Sequence, residues 1–243
     1  MNCEICNGEF REYYSGPVRD GSKGQVYSVV YHCQGCGVLR LRESDCLDEE
    51  DYRTLRYREK LGQPNTDRFA LDDPYQLDRL QVIGTHNLRG KTVLDFGAGS
   101  GSFCDHIAGL AKVNAFEINR FYVNKIRERG IPCFYDFEFI GEQKYDIITS
   151  LLVIEHLEEP MKWHKKLWDR LNDGGRMYIQ TPCPDTQGDL DGKTGFYRTQ
   201  HRWYFEIESM ENFVGRLTSK IPNVFWMKRS HMEGTDVWAI LKK

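Results

Sequence analysis

Residues 91–101 read Lys91-Thr92-Val93-Leu94-Asp95-Phe96-Gly97-Ala98-Gly99-Ser100-Gly101. Thr92, Val93 and Leu94 suit a short strand covered on both faces, because β-branched and apolar residues fill a buried sheet. Asp95 falls where that strand should end. Gly97, Gly99 and Gly101 then remove three side chains within five positions. The backbone can turn sharply there, and a ligand can lie against main-chain atoms. From Ser102 onward, Phe103, Ile107 and Leu110 recur at helical spacing. The stretch predicts strand, glycine turn and helix, the opening unit of an open α/β sheet.

The remaining chain continues the alternation. Strand patterns fall at 92–95, 112–117, 131–135, 145–150, 176–181, 223–228 and 235–241. Helical patterns separate the first five, which predicts βαβ units and a parallel sheet. Met161–Leu171 reads as an amphipathic helix stopped by Asn172-Asp173-Gly174-Gly175. Ser209–Leu217 reads as another, with Met210, Phe213, Val214 and Leu217 facing inward. Upstream, residues 46–90 are charge-rich and mainly helical. A helix beginning near Cys46 has acids at its positive end. Another opens at Pro74, with Leu77, Leu80 and Ile83 on one face.

The glycine turn also limits the ligand. A dinucleotide fingerprint needs a sixth-position glycine, and Ser102 stands there. A P-loop needs a lysine that is absent. An acid ahead of the glycines suits a cationic or hydroxyl-rich ligand better than a pyrophosphate. The run Val93-Leu94-Asp95-Phe96-Gly97-Ala98-Gly99-Ser100-Gly101 resembles motif I of the class I S-adenosylmethionine (SAM) methyltransferases. That resemblance covers about residues 75–243. It implies an α/β, Rossmann-like, seven-stranded, mostly parallel sheet with helices on both faces, the last strand inserted antiparallel. It also implies that Gly97, Gly99 and Gly101 wrap the amino-acid end of SAM, with Asp95 near the ammonium group.

Further candidate residues follow along the chain. Glu117 should end the second strand, and its two oxygens can accept both hydroxyls of a ribose; the family also carries an acid there. The resemblance implies Asp136 at the adenine amino group, Phe137 on the ring face, and Arg79 at the ligand carboxylate. Strand carboxyl ends are where ligands sit in open α/β sheets, so Leu151 is expected to face the cofactor through its backbone. Val153-Ile154-Glu155-His156-Leu157-Glu158-Glu159-Pro160 is similar to the V-x-E-H-x-x-x-P run of many small-molecule methyltransferases, which implies Glu155 and His156 near the reaction centre. His156 is suited to removing a substrate proton or to a positioning role. Residues 183–204 form a long polar loop expected over the sheet's carboxyl edge. In its cluster His201-Arg202-Trp203-Tyr204, His201 either handles substrate or anchors the loop. Pro182-Cys183 follows strand five rather than strand four, so Cys183 does not match the cytosine-5 methyltransferase nucleophile.

The first 45 residues carry a separate signal. Cys3-x-x-Cys6 and Cys33-x-x-Cys36 can supply four thiolates for one tetrahedral zinc, the alternatives being unligated thiols or redox pairs. Gly8, Gly35 and Gly37 give the tight turns of two knuckles, and strands at Val26–Tyr31 and Val38–Leu41 complete a small zinc ribbon. Four protein ligands leave no open position, so the zinc is expected to be structural. The expected domains are therefore a ribbon over 1–45, a helical linker or lid over 46–90, and a SAM-dependent methyltransferase domain over 91–243.

The chain of 243 residues has a net charge of −3. Residues 1–40 hold four basic and four acidic side chains. Neither balance calls for nucleic acid. No apolar run approaches the roughly 20 residues needed to span a bilayer. The N-terminus lacks the regions of a signal peptide, and a cytoplasmic location is expected. The favoured partner is a polar small-molecule acceptor, such as a sugar or sugar nucleotide. That preference follows from resemblance to sugar C-methyltransferases, which also join a Cys-rich zinc module to this core. Two rivals stand beside it: an RNA or ribosome methyltransferase gripping its target with the ribbon, and a non-catalytic SAM-binding regulatory protein. Oligomeric state is not legible.

Overall fold

The computed structural model describes residues 2–21, 24–60, 74–184, 196–219, 223–229 and 235–243. A seven-stranded sheet forms its centre: β4 (Thr92–Phe96), β5 (Lys112–Phe116), β6 (Cys133–Phe134), β7 (Tyr145–Leu151), β8 (Leu171–Pro182), β10 (Asn223–Lys228) and β11 (Thr235–Lys242). The strand order is β10-β11-β8-β7-β4-β5-β6. The pairs among β4–β8 are parallel. β11 enters antiparallel between β8 and β10. This is the Rossmann-like sheet order that the resemblance implies, in the positions where apolar runs predicted strands.

Period-two alternation divides the sheet into two buried faces. Leu94, Ile148, Met177, Ile179, Val237 and Ala239 join one core. Against it pack α7 (Pro160–Asp169), through Met161 and Leu167, and α8 (Ile207–Thr218), through Met210, Phe213, Val214 and Leu217. Their neighbours Val93, Ile147, Tyr178 and Trp238 join the other core. It is covered by Ile83 of α3 (Pro74–Ile83), Leu88 of α4 (Thr85–Leu88), α5 (Ser102–Ile107) and α6 (Arg120–Glu128).

A smaller antiparallel sheet is built from β1 (Phe10–Asp20), β2 (Gly24–Cys33), β3 (Leu39–Leu41) and β9 (Trp203–Tyr204), in that order. Its last strand comes from the far side of the chain. Tyr197 and Tyr204 fill its underside with Val18, Val30, Leu39 and Leu41. The cysteine-rich end shares one continuous core with Trp203, Met210 and Phe213. Two short helices, α1 (Glu49–Arg53) and α2 (Arg56–Lys60), follow β3. A capping box between Asp48 and Asp51 starts α1, two residues or more beyond the predicted start at Cys46.

Three local expectations change. Leu77 is 60% exposed, and α3 instead buries Gln76, Asp78, Arg79 and Ile83. Its inner face is polar because Arg79 bonds Gln180 on β8. α7 ends at Asp169, and Asn172–Gly175 belongs to the start of β8, where Gly174 has φ 77° and the register with β7 shifts. The predicted loop 183–204 lies partly outside the described residues, and its last two residues form β9.

Candidate active site

A cavity of about 810 Å³ opens at the carboxyl ends of β4, β5 and β7. The glycine turn forms one wall. Gly97, Gly99 and Gly101 have φ 75°, 55° and 79°, all left-handed. At Gly97 a Cβ would lie 2.5 Å from Val153 Cγ2, and at Gly101 2.6 Å from Ile126 Cγ1. At Gly99 a Cβ would meet nothing within 4 Å. Two glycines are thus demanded by the protein's own packing, and the middle one leaves bare backbone facing open space.

Asp95 is buried beside this turn. Its oxygens accept hydrogen bonds from Thr149 Oγ1 at 2.7 Å and Cys104 Sγ at 3.3 Å. Burial pushes its carboxyl above the usual range, against the pull of Thr149 and Arg79. Glu117 accepts from the amides of Gly99 at 2.7 Å and Asn119 at 2.8 Å. Burial pushes it up to about 7, although both amides favour the ionised form. Each carboxylate oxygen has two acceptor sites, so Glu117 retains capacity for two hydroxyl donors.

Phe137 packs edge-on to Phe96 and Phe116 and to Trp163 on α7, giving the cavity an aromatic wall. Asp136 stands exposed at its rim and caps the 3-10 helix Phe137–Ile140 through the Glu138 amide. Arg79 lines the opposite side, donating to Gln76 and Gln180. Leu151 ends β7. Leu152 follows with φ 60°, a conformation costing about 1–3 kcal/mol that tends to occur at functional sites. This turn leads into the 3-10 helix Ile154–His156, and Leu151–Val153, Glu155 and His156 line the cavity.

Glu155 is 1% exposed, and burial pushes it up to about 8. His156 Nδ1 lies 2.6 Å from the Gln200 carbonyl oxygen. A carbonyl only accepts, so the proton sits on Nδ1 and the lone pair on Nε2. The Tyr52 hydroxyl donates to the same carbonyl at 2.5 Å. His201 stands edge-on to His156, with ring centroids 5.0 Å apart. Burial pushes His156 down to about 4 and His201 well below its usual value. Both rings are therefore neutral near pH 7. Cys183 is fully buried and does not line the cavity.

A profile of the methyltransferase-domain family matches residues 67–216. The chain belongs to the methyltransferase-domain family. This methyltransferase domain is 24% identical over 177 residues to the tRNA U34 carboxymethyltransferase of Campylobacter concisus, covering 65% of this chain and 54% of that protein. It is 30% identical over 115 residues to the ubiquinone biosynthesis O-methyltransferase of Nitrosococcus oceani, covering 42% of this chain and 49% of that protein. The chain spans about half the length of these relatives. Among solved structures, it resembles the Burkholderia thailandensis 1,6-didemethyltoxoflavin-N1-methyltransferase with a TM-score of 0.60 and 14% identity, covering 94% and 99% of the two chains. The plantazolicin methyltransferase BamL gives a TM-score of 0.59 at 14% identity, covering 82% and 96%. At such identities the likeness is one of fold.

Of the candidate residues of the methyltransferase site, from Arg79 to His201, all but Gly101 border this one cavity; Gly101 is instead hemmed in by Ile126. Sequence reasoning missed Tyr52, Tyr75, Trp163, Lys166, Gln200 and Arg229, which border it too. Trp163 and Lys166, spaced i and i+3 on α7, carried a faint signal. Tyr52 carried none, because it reaches the site only when Asn119 holds the carbonyls of Tyr52 and Thr54 at 3.2 and 2.7 Å.

The four N-terminal cysteines form a second cluster, with their sulfurs within 4.8 Å of one another. Cys3 and Cys36 are 3.8 Å apart, Cys6 and Cys33 3.3 Å, and all are free thiols. Tetrahedral zinc with Zn–S near 2.3 Å sets sulfurs about 3.8 Å apart. The Gly8 and Gly35 amides donate to Cys6 and Cys33 sulfurs at 3.2 and 3.4 Å. A Cβ at Gly35 would stand 3.0 Å from Cys6 Sγ. The donor set, spacing and glycines fit zinc.

Proposed function

We propose that this protein is a SAM-dependent methyltransferase acting on a polar small molecule, such as a sugar or sugar nucleotide, and that the four cysteines hold a structural zinc. The observation that carries the reading is the Gly99–Glu117 pair: bare left-handed backbone tied to a buried carboxylate at the edge of a cavity of about 810 Å³. That volume suits a cofactor together with a small acceptor.

When bound, SAM supplies an electrophilic sulfonium methyl group. Gly97 and Gly99 receive the ligand's amino-acid end against main chain, and Gly101 completes the turn. Glu117 accepts the ribose hydroxyls, and Asp95 balances positive charge. Asp136 and Phe137 flank the adenine, and Arg79 offers a cation to the carboxylate. The chain's main contribution is to hold donor and acceptor close and aligned. The acceptor is assigned to the Glu155, His156 and His201 side, where a neutral imidazole lone pair can orient a hydroxyl and take its proton.

The tRNA relatives favour a second reading, RNA methylation, against which stand the net charge of −3 and the balanced charge of residues 1–40. Methyl-labelled SAM incubated with pools of sugar nucleotides and of RNA tests both. Label in a small molecule supports the reading, label in RNA replaces it with the second, and SAM binding without transfer to either pool favours the regulatory alternative.

A further inference from the structure

The cluster at the acceptor side has the composition of a metal site. One ligand atom each from Glu155, His156 and His201 lies within 4.8 Å of the others. His156 Nε2, the nitrogen with the lone pair, stands 3.9 Å from Glu155 Oε1. The other Glu155 oxygen is buried and makes no well-formed hydrogen bond, although the Thr181 hydroxyl, itself buried, is a donor close to the carboxyl. A carboxylate only 1% exposed, with at most one hydroxyl donor, is costly to keep ionised without a cation. The His156 Nδ1–H bond to the Gln200 carbonyl is the arrangement found behind metal-ligating histidines, where a backbone acceptor fixes the tautomer and turns the lone pair to the ion.

We propose that Glu155, His156 and His201 bind one divalent transition-metal ion, of the zinc, iron(II) or manganese(II) class, with coordination positions open to an oxygen of the acceptor. Two imidazoles and one carboxylate suit such ions, whereas magnesium favours oxygen ligands alone. Bonds of about 2.0–2.2 Å would bring the ligand atoms to roughly 3–3.5 Å of one another. Side-chain rotation would close that gap, because all three residues border one cavity. Three protein ligands leave room for substrate, unlike the four-thiolate cluster. The inference rests on the methyltransferase reading for its purpose, and it narrows the acceptor to one presenting a hydroxyl or other oxygen. With both imidazole lone pairs taken up as ligands, the bound ion would replace the imidazole in holding that oxygen and lowering its pKa, and the proton would pass to water.

Manganese(II) is the probe, because thiolate sites prefer zinc. Zinc-loaded full-length protein is titrated with Mn2+ and followed by electron paramagnetic resonance, with SAM affinity measured on the same samples. One Mn2+ per chain is expected, with spin-echo modulation from two imidazole nitrogens. Glu155→Gln and His201→Ala should weaken Mn2+ binding at least tenfold and leave SAM affinity within about twofold. The modulation experiment needs no variant, so misfolding of a variant does not blunt the test. No Mn2+ binding by protein that binds SAM, or binding without imidazole modulation, overturns the inference. Mn2+ binding at these residues in protein that does not bind SAM supports the metal site and removes the methyltransferase reading instead.

Discussion

Glu117 places two demands on one carboxylate: burial pushes its pKa up to about 7, while two amides and a ligand's hydroxyls favour the charged form. Because the folded pKa is raised above the ordinary 4.5, the folded state binds the extra proton between these values. Its contribution to stability is therefore full below about 4.5 and lost as pH rises through about 7. SAM binding should do the opposite and tighten from pH 6 to pH 8, with proton release. Glu117→Gln should bind at least tenfold more weakly and with a flat pH profile, as calorimetry in buffers of different ionisation enthalpy would register. The glycines separate in a similar way. Gly97→Ala sets a Cβ against Val153 in a left-handed backbone, costing about 1–2 kcal/mol in strain and about 1–3 in overpacking. It should lower Tm whether or not ligand is present. Gly99→Ala has room in the protein, so its loss should appear mainly in SAM affinity. Thermal melts with and without SAM would show the contrast. The glycines, Asp95 and Glu117 were legible because their spacing alone fixes where a strand ends. The tautomer of His156 was not, because its partner is a carbonyl 44 residues away.

At the scale of elements, Trp203 fastens the two sheets together. It is fully buried, donates Nε1–H to the Leu157 carbonyl at 2.7 Å, lies under the Arg40 guanidinium, and belongs to the strand that completes the small sheet. Trp203→Ala should cost about 3–5 kcal/mol and lower Tm by roughly 10 °C, at about 2–4 °C per kcal/mol for a chain of this size. Calorimetric scanning should also reveal two transitions in place of one, because the variant uncouples the sheets. Removal of the proposed zinc acts on the same unit. Chelation, or Cys33→Ser, should remove the zinc held by the cysteines and lower Tm by more than about 10 °C, since structural zinc supplies folding energy directly. Elemental analysis and a melt on one sample check this. The strands of the large sheet could be read from the sequence because each is a compact apolar run. β1 could not: it contains Gly16 and Pro17, which it tolerates only as an edge strand. β9 is two residues long and gains its identity from β3. The exposure of Leu77 escaped periodicity because α3 turns a polar face inward to Gln180.

At the scale of the whole molecule, one cavity is the proposed meeting place of cofactor and acceptor, and the small sheet joins its wall through β9, whose Trp203 donates to the Leu157 carbonyl. Length, alternation of elements and the glycine turn carried the fold class. The joining of the small sheet to residues 203–204 was invisible, because nothing local in the sequence marks a contact between Leu39 and Tyr204. The most direct test of the central claim is calorimetric titration of folded, zinc-loaded protein with SAM and, separately, with NADH. One SAM bound per chain and no heat from NADH are expected. Failure to bind SAM, or a preference for NADH, would contradict that claim and require the Gly97–Gly101 turn to be assigned to another ligand.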